Sequence, residues 1–372
     1  MAPGDHLVRC GGGCGGVRRI LFTGYAPVHF VCFQPLFEAL RQEPGVEVLV
    51  SGGLRRVDEF GLREHDTQAM YAPFALPPES VVAADDLPEL DVDLFFSAST
   101  NPIEPRSFRR SVQLFHGMSF RNRAVRPENA VYDRYFMLGP YMRRGFEQRG
   151  ILLPGDPRVA RIGFPKTDRL LDGTLDRAAI LRDLGFSGTR PVVFYAPTGA
   201  HGNSLETFGE ELITHLAETD RYDLVVKPHD HSKAAIDWYE RLAPLESAHV
   251  RLHRAPDAIP TLFATDLLIS DASSIANEYL LLDRPIVFLD VPELLAAAAL
   301  EDDRLDLDTW GRTGGAVASD TAAAVEAVAH GLAHPRERAT TRQAIAQDLF
   351  YQPGTATRAA LAWVRTELRV AA

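Results

Sequence analysis

The sequence predicts an α/β protein with two parallel-sheet domains, on three observations. Short β-branched or aromatic apolar runs alternate with longer amphipathic stretches, the pattern of βα units. The alternation occurs in two successive series, and 372 residues are too many for a single compact core. With 46% hydrophobic and 24% charged residues, the chain can fill two cores, and no apolar run approaches the ~20 residues that span a bilayer.

The first series opens with a strand at 19–23, turns at Gly24, and continues with a helical stretch at 33–41 and a strand at 46–50. Further strands are predicted at 94–96, 112–115, 135–138 and 159–162. Gly163 and Pro165 then break both periodicities and close a first domain of residues 18–165. The second series places strands at 191–195, 224–227, 250–252, 267–270 and 286–289, separated by helical stretches such as 206–216 and 275–282. Together these make a domain of residues 166–350. The tail is helical in composition, and 355–369 reads as a last amphipathic helix in a segment, 351–372, expected to pack back on the first domain.

Residues 1–17 read as a flexible, Gly-rich leader with too little apolar character for a secretory signal, so a cytoplasmic protein is expected. The three cysteines, Cys10, Cys14 and Cys32, are odd in number and crowded at one end, which excludes a disulfide framework. No second Cys or His pair stands at zinc-site spacing from Cys10 and Cys14, and Asp91/Asp93 and Asp306/Asp308 do not follow a strand convincingly. No metal and no cofactor are expected.

The net charge of -11 is unevenly spread. Residues 104–169 hold fourteen Lys or Arg against six Asp or Glu, net +8, which leaves -11 - 8 = -19 for the rest. One basic segment in an acidic chain suits an anionic ligand, an anionic polymer or an acidic membrane surface better than nucleic acid. Solvated helix faces are the plainer explanation of the same arginines.

In open parallel sheets ligands bind beyond the carboxyl ends of the strands, which selects four short segments. His116 and Gly117 follow the 112–115 run, where an imidazole would emerge beside backbone open to close approach. Pro197 and Thr198 follow 191–195. Lys227, Pro228 and His229 follow the next strand; Lys227 and His229 fall on one side of an extended chain and suit a phosphate. Asp271, Ser273 and Ser274 stand between a strand and a helix, where anion binding and plain helix capping are both open, and Glu278 lies one turn on, within reach of a ribose or acceptor hydroxyl. There is no P-loop, no GxSxG and no HExxH, and the Gly11–Gly16 tract precedes the first strand instead of following it. Kinase, serine hydrolase, zinc protease and NAD dehydrogenase readings drop.

The ordered set of His116-Gly117, the 163–168 segment, Tyr195 to Thr198, Lys227-Pro228-His229, Ser270 to Ser274 and Arg284 to Phe288 resembles the CDP-glycerol glycerophosphotransferases of teichoic acid synthesis. The resemblance implies a GT-B fold of two Rossmann-like domains facing a cleft. It implies transfer of glycerol phosphate, or a related polyol phosphate, from a CDP-activated donor to an acceptor hydroxyl in cell-wall or capsule polymer synthesis, with CMP released. By motif, it puts the catalytic histidines at His116 and His229 and the donor phosphate at Lys227, Asp271, Ser273 and Ser274. Gly117, Pro197, Thr198 and Glu278 then stand for nucleotide or acceptor contacts. Arg106, Arg109, Arg110, Arg121 and Arg123 gain a role as a face for an anionic polymer, a lipid-linked acceptor or the inner membrane surface. Asp230 and Ala272 depart from residues frequent in the family. A nucleotide-sugar glycosyltransferase or UDP-sugar 2-epimerase relative, and a non-catalytic nucleotide-binding protein, are the competing readings.

Overall fold

The computed structural model describes residues 17–57, 63–99, 102–118, 124–229, 236–292, 294, 296 and 312–369. The strands of the first sheet are β1 (Arg18–Gly24), β2 (Val46–Gly52), β5 (Asp91–Ser97), β6 (Ser107–Gln113), β7 (Arg134–Met137) and β8 (Val159–Arg161), and a hairpin of β3 (Leu54–Val57) and β4 (Arg63–Asp66) stands apart. Their order in the sheet is β2-β1-β5-β6-β7-β8, all parallel, with Ile20 level with Val48 on one side and Leu94 on the other. Strands covered on both faces need continuous apolar runs, and Ile20, Leu21 and Phe22 are all fully buried. The Phe22 ring stacks between Phe33 at 4.9 Å and Phe96 at 4.8 Å, tying the first helix (Pro27–Leu40) to the sheet.

The second sheet has the order β11-β10-β9-β12-β13-β14, again parallel, from β9 (Val192–Tyr195), β10 (Asp223–Val226), β11 (Val250–Leu252), β12 (Leu267–Ser270), β13 (Ile286–Leu289) and β14 (Ala316–Ala318). Every residue of β9, β10, β12 and β13 is buried. The strand order reverses between β1 and β5 in the first sheet and between β9 and β12 in the second. Those reversals open the crevices in which ligands of doubly wound sheets sit.

Several elements differ from expectation. The first helix begins at Pro27, six residues before Phe33, because proline at the first helical position is pre-set for the helix. β5 starts at Asp91, so the Asp91/Asp93 pair lies inside a strand; Asp93 meets Arg18 at 3.1 Å and Asp91 pairs with Arg106. The 206–216 stretch opens with a π-helical turn, Leu205–Gly209, before the regular helix Glu210–Glu218. The β3–β4 hairpin and β14 were not expected.

The last helix, Ala356–Arg369, lies on the first domain although it follows the second in sequence. Ala360 and Val364 are fully buried in the first core, and Trp363 meets the Phe136 ring edge-on at 5.0 Å. Asp168, in the short 3-10 turn between the domains, accepts hydrogen bonds from the Ala356 and Thr357 N–H groups (3.0 and 2.6 Å). Among the described residues no helix is long and apolar enough to cross a membrane.

Candidate active site

The exit from β6 is built for close backbone contact. Phe115, buried and non-glycine, sits at φ 57°, a left-handed conformation seldom adopted by such residues. It is held there by the Gln113 side chain, which accepts from the Phe115 N–H (2.9 Å) and donates to the Ser99 carbonyl (2.9 Å) and Asn129 Oδ1 (3.1 Å). The kink presents His116 outward. Its Nδ1 lies 2.7 Å from the Ala98 carbonyl just beyond β5; a carbonyl only accepts, so Nδ1 carries the proton and Nε2 is the basic nitrogen of the neutral ring. Against one face of this imidazole lies the ring of His29, 4.5 Å away and inclined by 23°.

Gly117 brings the two domains together. A Cβ there would stand 3.1 Å from Ser274 Oγ, and its φ of 151° also suits glycine. Next to it, the Asn277 amide donates to the Met118 carbonyl at 2.6 Å, a buried bond across the domain boundary. The structure therefore places the His116 segment against Ser274, which with Ser273 is half-buried at the start of the Ile275–Tyr279 helix. His229 is exposed just past β10, and β10 is separated from β12 only by β9, so its exit lies two strand spacings, about 10 Å, from that of β12.

Other residues singled out in the sequence take different positions. Asp271 does not face the crevice as a phosphate group's partner would. Its Oδ1 accepts from the Thr198 and Ala272 N–H groups (2.7 and 2.6 Å) and its Oδ2 from the Ser204 N–H and hydroxyl (3.0 and 2.9 Å), so it ties the β9 and β12 exits together. Pro197 is buried and Thr198 half-buried beside it. Lys227, 9% exposed, donates from Nζ to the Ala255 carbonyl at 3.0 Å. Glu278 is 2% exposed, and its carboxylate meets Lys166 Nζ at 2.9 Å instead of reaching toward a ligand. Arg106 precedes β6, and Arg109 and Arg110 lie within it, whereas His116 follows its exit. Arg106 pairs with Asp91, and Arg109 and Arg110 meet Glu367 of the last helix. Strand direction sets Arg106 ten residues, and Arg109 and Arg110 seven and six residues, before His116, about 20 Å or more along the sheet. Arg121, Arg123, Asp230 and the Asp306/Asp308 pair lie outside the described residues.

Sequence reasoning missed His29 and Lys166. His29 lies in the first turn of a helix expected to start later, and Lys166 was read as the domain join. Beneath both, the Cys32 thiol reaches the His116 carbonyl at 3.5 Å, and burial pushes its pKa up to about 12 against the opposing pull of Lys166. A cavity of about 820 Å³ lies elsewhere, between Arg177, Arg190, Asp266 and Arg284 at the amino ends of the second sheet's strands. Arg177 is held there by Asp266 (2.7 Å), Arg190 by Asp220 (2.6 Å) and Arg284 by the Phe263 and Thr265 carbonyls (2.6 and 2.5 Å). The strand exits at the opposite end carry the chemically capable groups.

Solved structures share this arrangement at low sequence identity. The wall teichoic acid polymerase TagF superimposes with a TM-score of 0.67 at 13% identity, covering 95% of this chain and 90% of that one. A variant of that polymerase soaked with CDPG gives 0.66 at 15% identity over 95% and 90%. A UDP-N-acetylglucosamine 2-epimerase described as putative, from Listeria monocytogenes, gives 0.59 at 13% over 96% and 98%. These likenesses show the two-domain GT-B fold. No curated protein matches the chain in sequence. A family model described as CDP-Glycerol:Poly(glycerophosphate) glycerophosphotransferase matches residues 129–360, a span that begins downstream of His116 and takes in Lys227, His229, Ser273, Ser274 and Glu278. Since that span is more than half the chain, the protein belongs to the CDP-glycerol:poly(glycerophosphate) glycerophosphotransferase family.

Proposed function

We propose that the enzyme transfers glycerol phosphate from CDP-glycerol to a hydroxyl of an anionic, polymer- or lipid-linked acceptor in the synthesis of a teichoic-acid-type polymer. The acceptor oxygen attacks the β-phosphorus, a new P–O bond forms, the bond from that phosphorus to the bridging oxygen breaks, and CMP departs with the electron pair. His116 Nε2 takes the hydroxyl proton. His229 and the Ser273 and Ser274 hydroxyls hold the diphosphate as charge moves to the leaving group, with the Lys227 ammonium adding positive potential from behind. The observation that carries this reading is the Ala98 carbonyl on His116 Nδ1, which assigns the basic lone pair to the other nitrogen. The approach of Gly117 to Ser274 supports it, because it joins base and phosphate-binding hydroxyls in one crevice.

The test is CMP release over a donor panel of CDP-glycerol, CDP-ribitol and UDP-sugars. CDP-glycerol is expected to turn over, and turnover of a UDP-sugar alone would favour the epimerase or glycosyltransferase reading. His116→Ala is expected to lower turnover by about 10² to 10⁴ while leaving the Kd for CDP-glycerol within a few-fold. Near wild-type turnover in that variant would remove His116 as the base.

A further inference from the structure

We propose that His29 is a positioning residue for this reaction, a buried aromatic plate that holds the His116 imidazole in its proton-accepting orientation. The inference rests on the role given to His116 above.

His29 is 2% exposed and stands where the first sheet's strand order reverses, in the opening turn of the first helix. Three features fix its ring. The Tyr25 N–H points at its Nδ1 from 3.4 Å, the Tyr25 ring meets it edge-on at 4.2 Å, and Gly24 leaves room for its Cβ, since a Cβ at Gly24 would lie 2.7 Å from it. Nδ1 facing a backbone donor is an acceptor, so His29 is a neutral imidazole with its proton on Nε2. His116 by contrast is exposed, and its ring is defined by contacts that include the Ala98 carbonyl at Nδ1 and the His29 face at 4.5 Å. The hydrogen bond alone permits rotation about the Nδ1···O direction. A nearly parallel ring on one face removes that rotation, so Nε2 is held on a single line away from the sheet. Proton transfer is steep in geometry, and a misplacement of about 1 Å costs on the order of 10²-fold in rate.

The geometry separates this role from acid–base work by His29 itself. The rings are stacked, not joined through their nitrogens, and His116 Nδ1 already faces a carbonyl, so no proton path runs from one imidazole to the other through that atom. What His29 supplies is a flat, buried surface, and a phenyl ring supplies the same surface.

The test compares His29→Phe with His29→Leu. Both variants remove the acceptor for the Tyr25 N–H, so both carry the same local folding cost, and only Phe restores the plate. His29→Phe is expected to keep kcat within about 3-fold of wild type, and His29→Leu to lose on the order of 10²-fold in kcat with the KM for CDP-glycerol within about 3-fold and a Tm equal to that of the Phe variant. Gly24→Ala, which displaces His29 without removing an imidazole, is expected to lower kcat in the same direction. Equal kcat in the Phe and Leu variants overturns the proposal. So does a Phe variant that is folded but as inactive as His116→Ala, since that would make His29 a proton-transfer group. Loss of activity confined to KM would place His29 in donor binding and overturn it as well. If instead His116→Ala retains turnover, it is the assignment of the base that fails, and this comparison tells the two failures apart.

Discussion

Cys32 forms the floor beneath the paired histidines, and its state reports on whether that floor is closed. Its thiol donates to the Val28 carbonyl at 3.1 Å and approaches the His116 carbonyl, while burial pushes its pKa up to about 12. The reactive species toward alkylating reagents is the thiolate, which at pH 8 is then only about one part in ten thousand of the population. Maleimide at pH 8 is expected to leave Cys32 unlabelled in the folded protein and to label it fully in denaturant, read by peptide mass spectrometry. Rapid labelling of the native protein would mean that the helix under His116 opens in solution. Phe115 belongs to the same scale of argument. A left-handed non-glycine residue directly before a proposed base is costly by about 1–3 kcal/mol, and the Gln113–Ser99–Asn129 network holds it in place.

At the scale of elements, the interface between the domains is held by a buried ion pair that links residues 112 apart in sequence. Lys166, on the connecting 3-10 turn, and Glu278, on the helix that follows Ser274, have side chains only 9% and 3% exposed. Desolvation alone would lower the Lys166 pKa, but the Glu278 charge and hydrogen bond outweigh it and the net direction is upward. A lysine raised in this way contributes stability that is fully present below its ordinary value of 10.5 and lost only as pH rises through the folded value, so Lys166 adds no pH dependence between pH 6 and 9. Glu278→Gln leaves the ammonium buried without its counter-charge and is expected to cost about 3–5 kcal/mol by urea denaturation. The double variant Lys166→Met/Glu278→Leu is expected to be closer to wild type than this single change; additive losses would show that the two side chains do not act as a pair. This element also marks the limit of what the sequence discloses. The core strands were legible because parallel strands buried on both faces read as unbroken apolar runs, as at 192–195 and 267–270. The strand exits pointed to His116, His229 and the serines by the same logic. The β3–β4 hairpin escaped notice because Arg55, Arg56, Glu64 and Asp66 give it no apolar alternation. Glu278 was misread because a carboxylate one turn into a helix looks like a ligand group until its distant lysine is seen.

For the molecule as a whole, the last helix makes the two domains one unit. It follows the second domain in the chain, yet it buries Ala360 and Val364 in the first core and is fastened to that domain by Glu367 with Arg110 (3.1 Å) and Arg365 with Glu43 (2.6 Å). Its first turn is capped by Asp168, two residues from the lysine that holds Glu278 and next to Arg169, which meets Asp257 of the second domain at 2.5 Å. One short turn thus touches the last helix, the helix beyond the serines and the loop after β11. Burial pushes the Asp168 pKa up, opposed by the backbone N–H groups it accepts from, so removing those donors leaves a buried carboxyl with less to offset its desolvation. Deleting residues 355–372 removes the cap's partners together with the packing of Val364 and of Trp363 on Phe136, a loss of about 4 kcal/mol or more from apolar burial alone. For a domain of this size that corresponds to a fall in Tm of roughly 10 °C, and it falls on the first domain. Calorimetry is therefore expected to resolve two transitions in the truncated chain, the lower from the first domain, where the full chain gives one. A single transition at the full-length temperature would show that the helix is an appendage and that the turn at 165–170 holds the crevice without it.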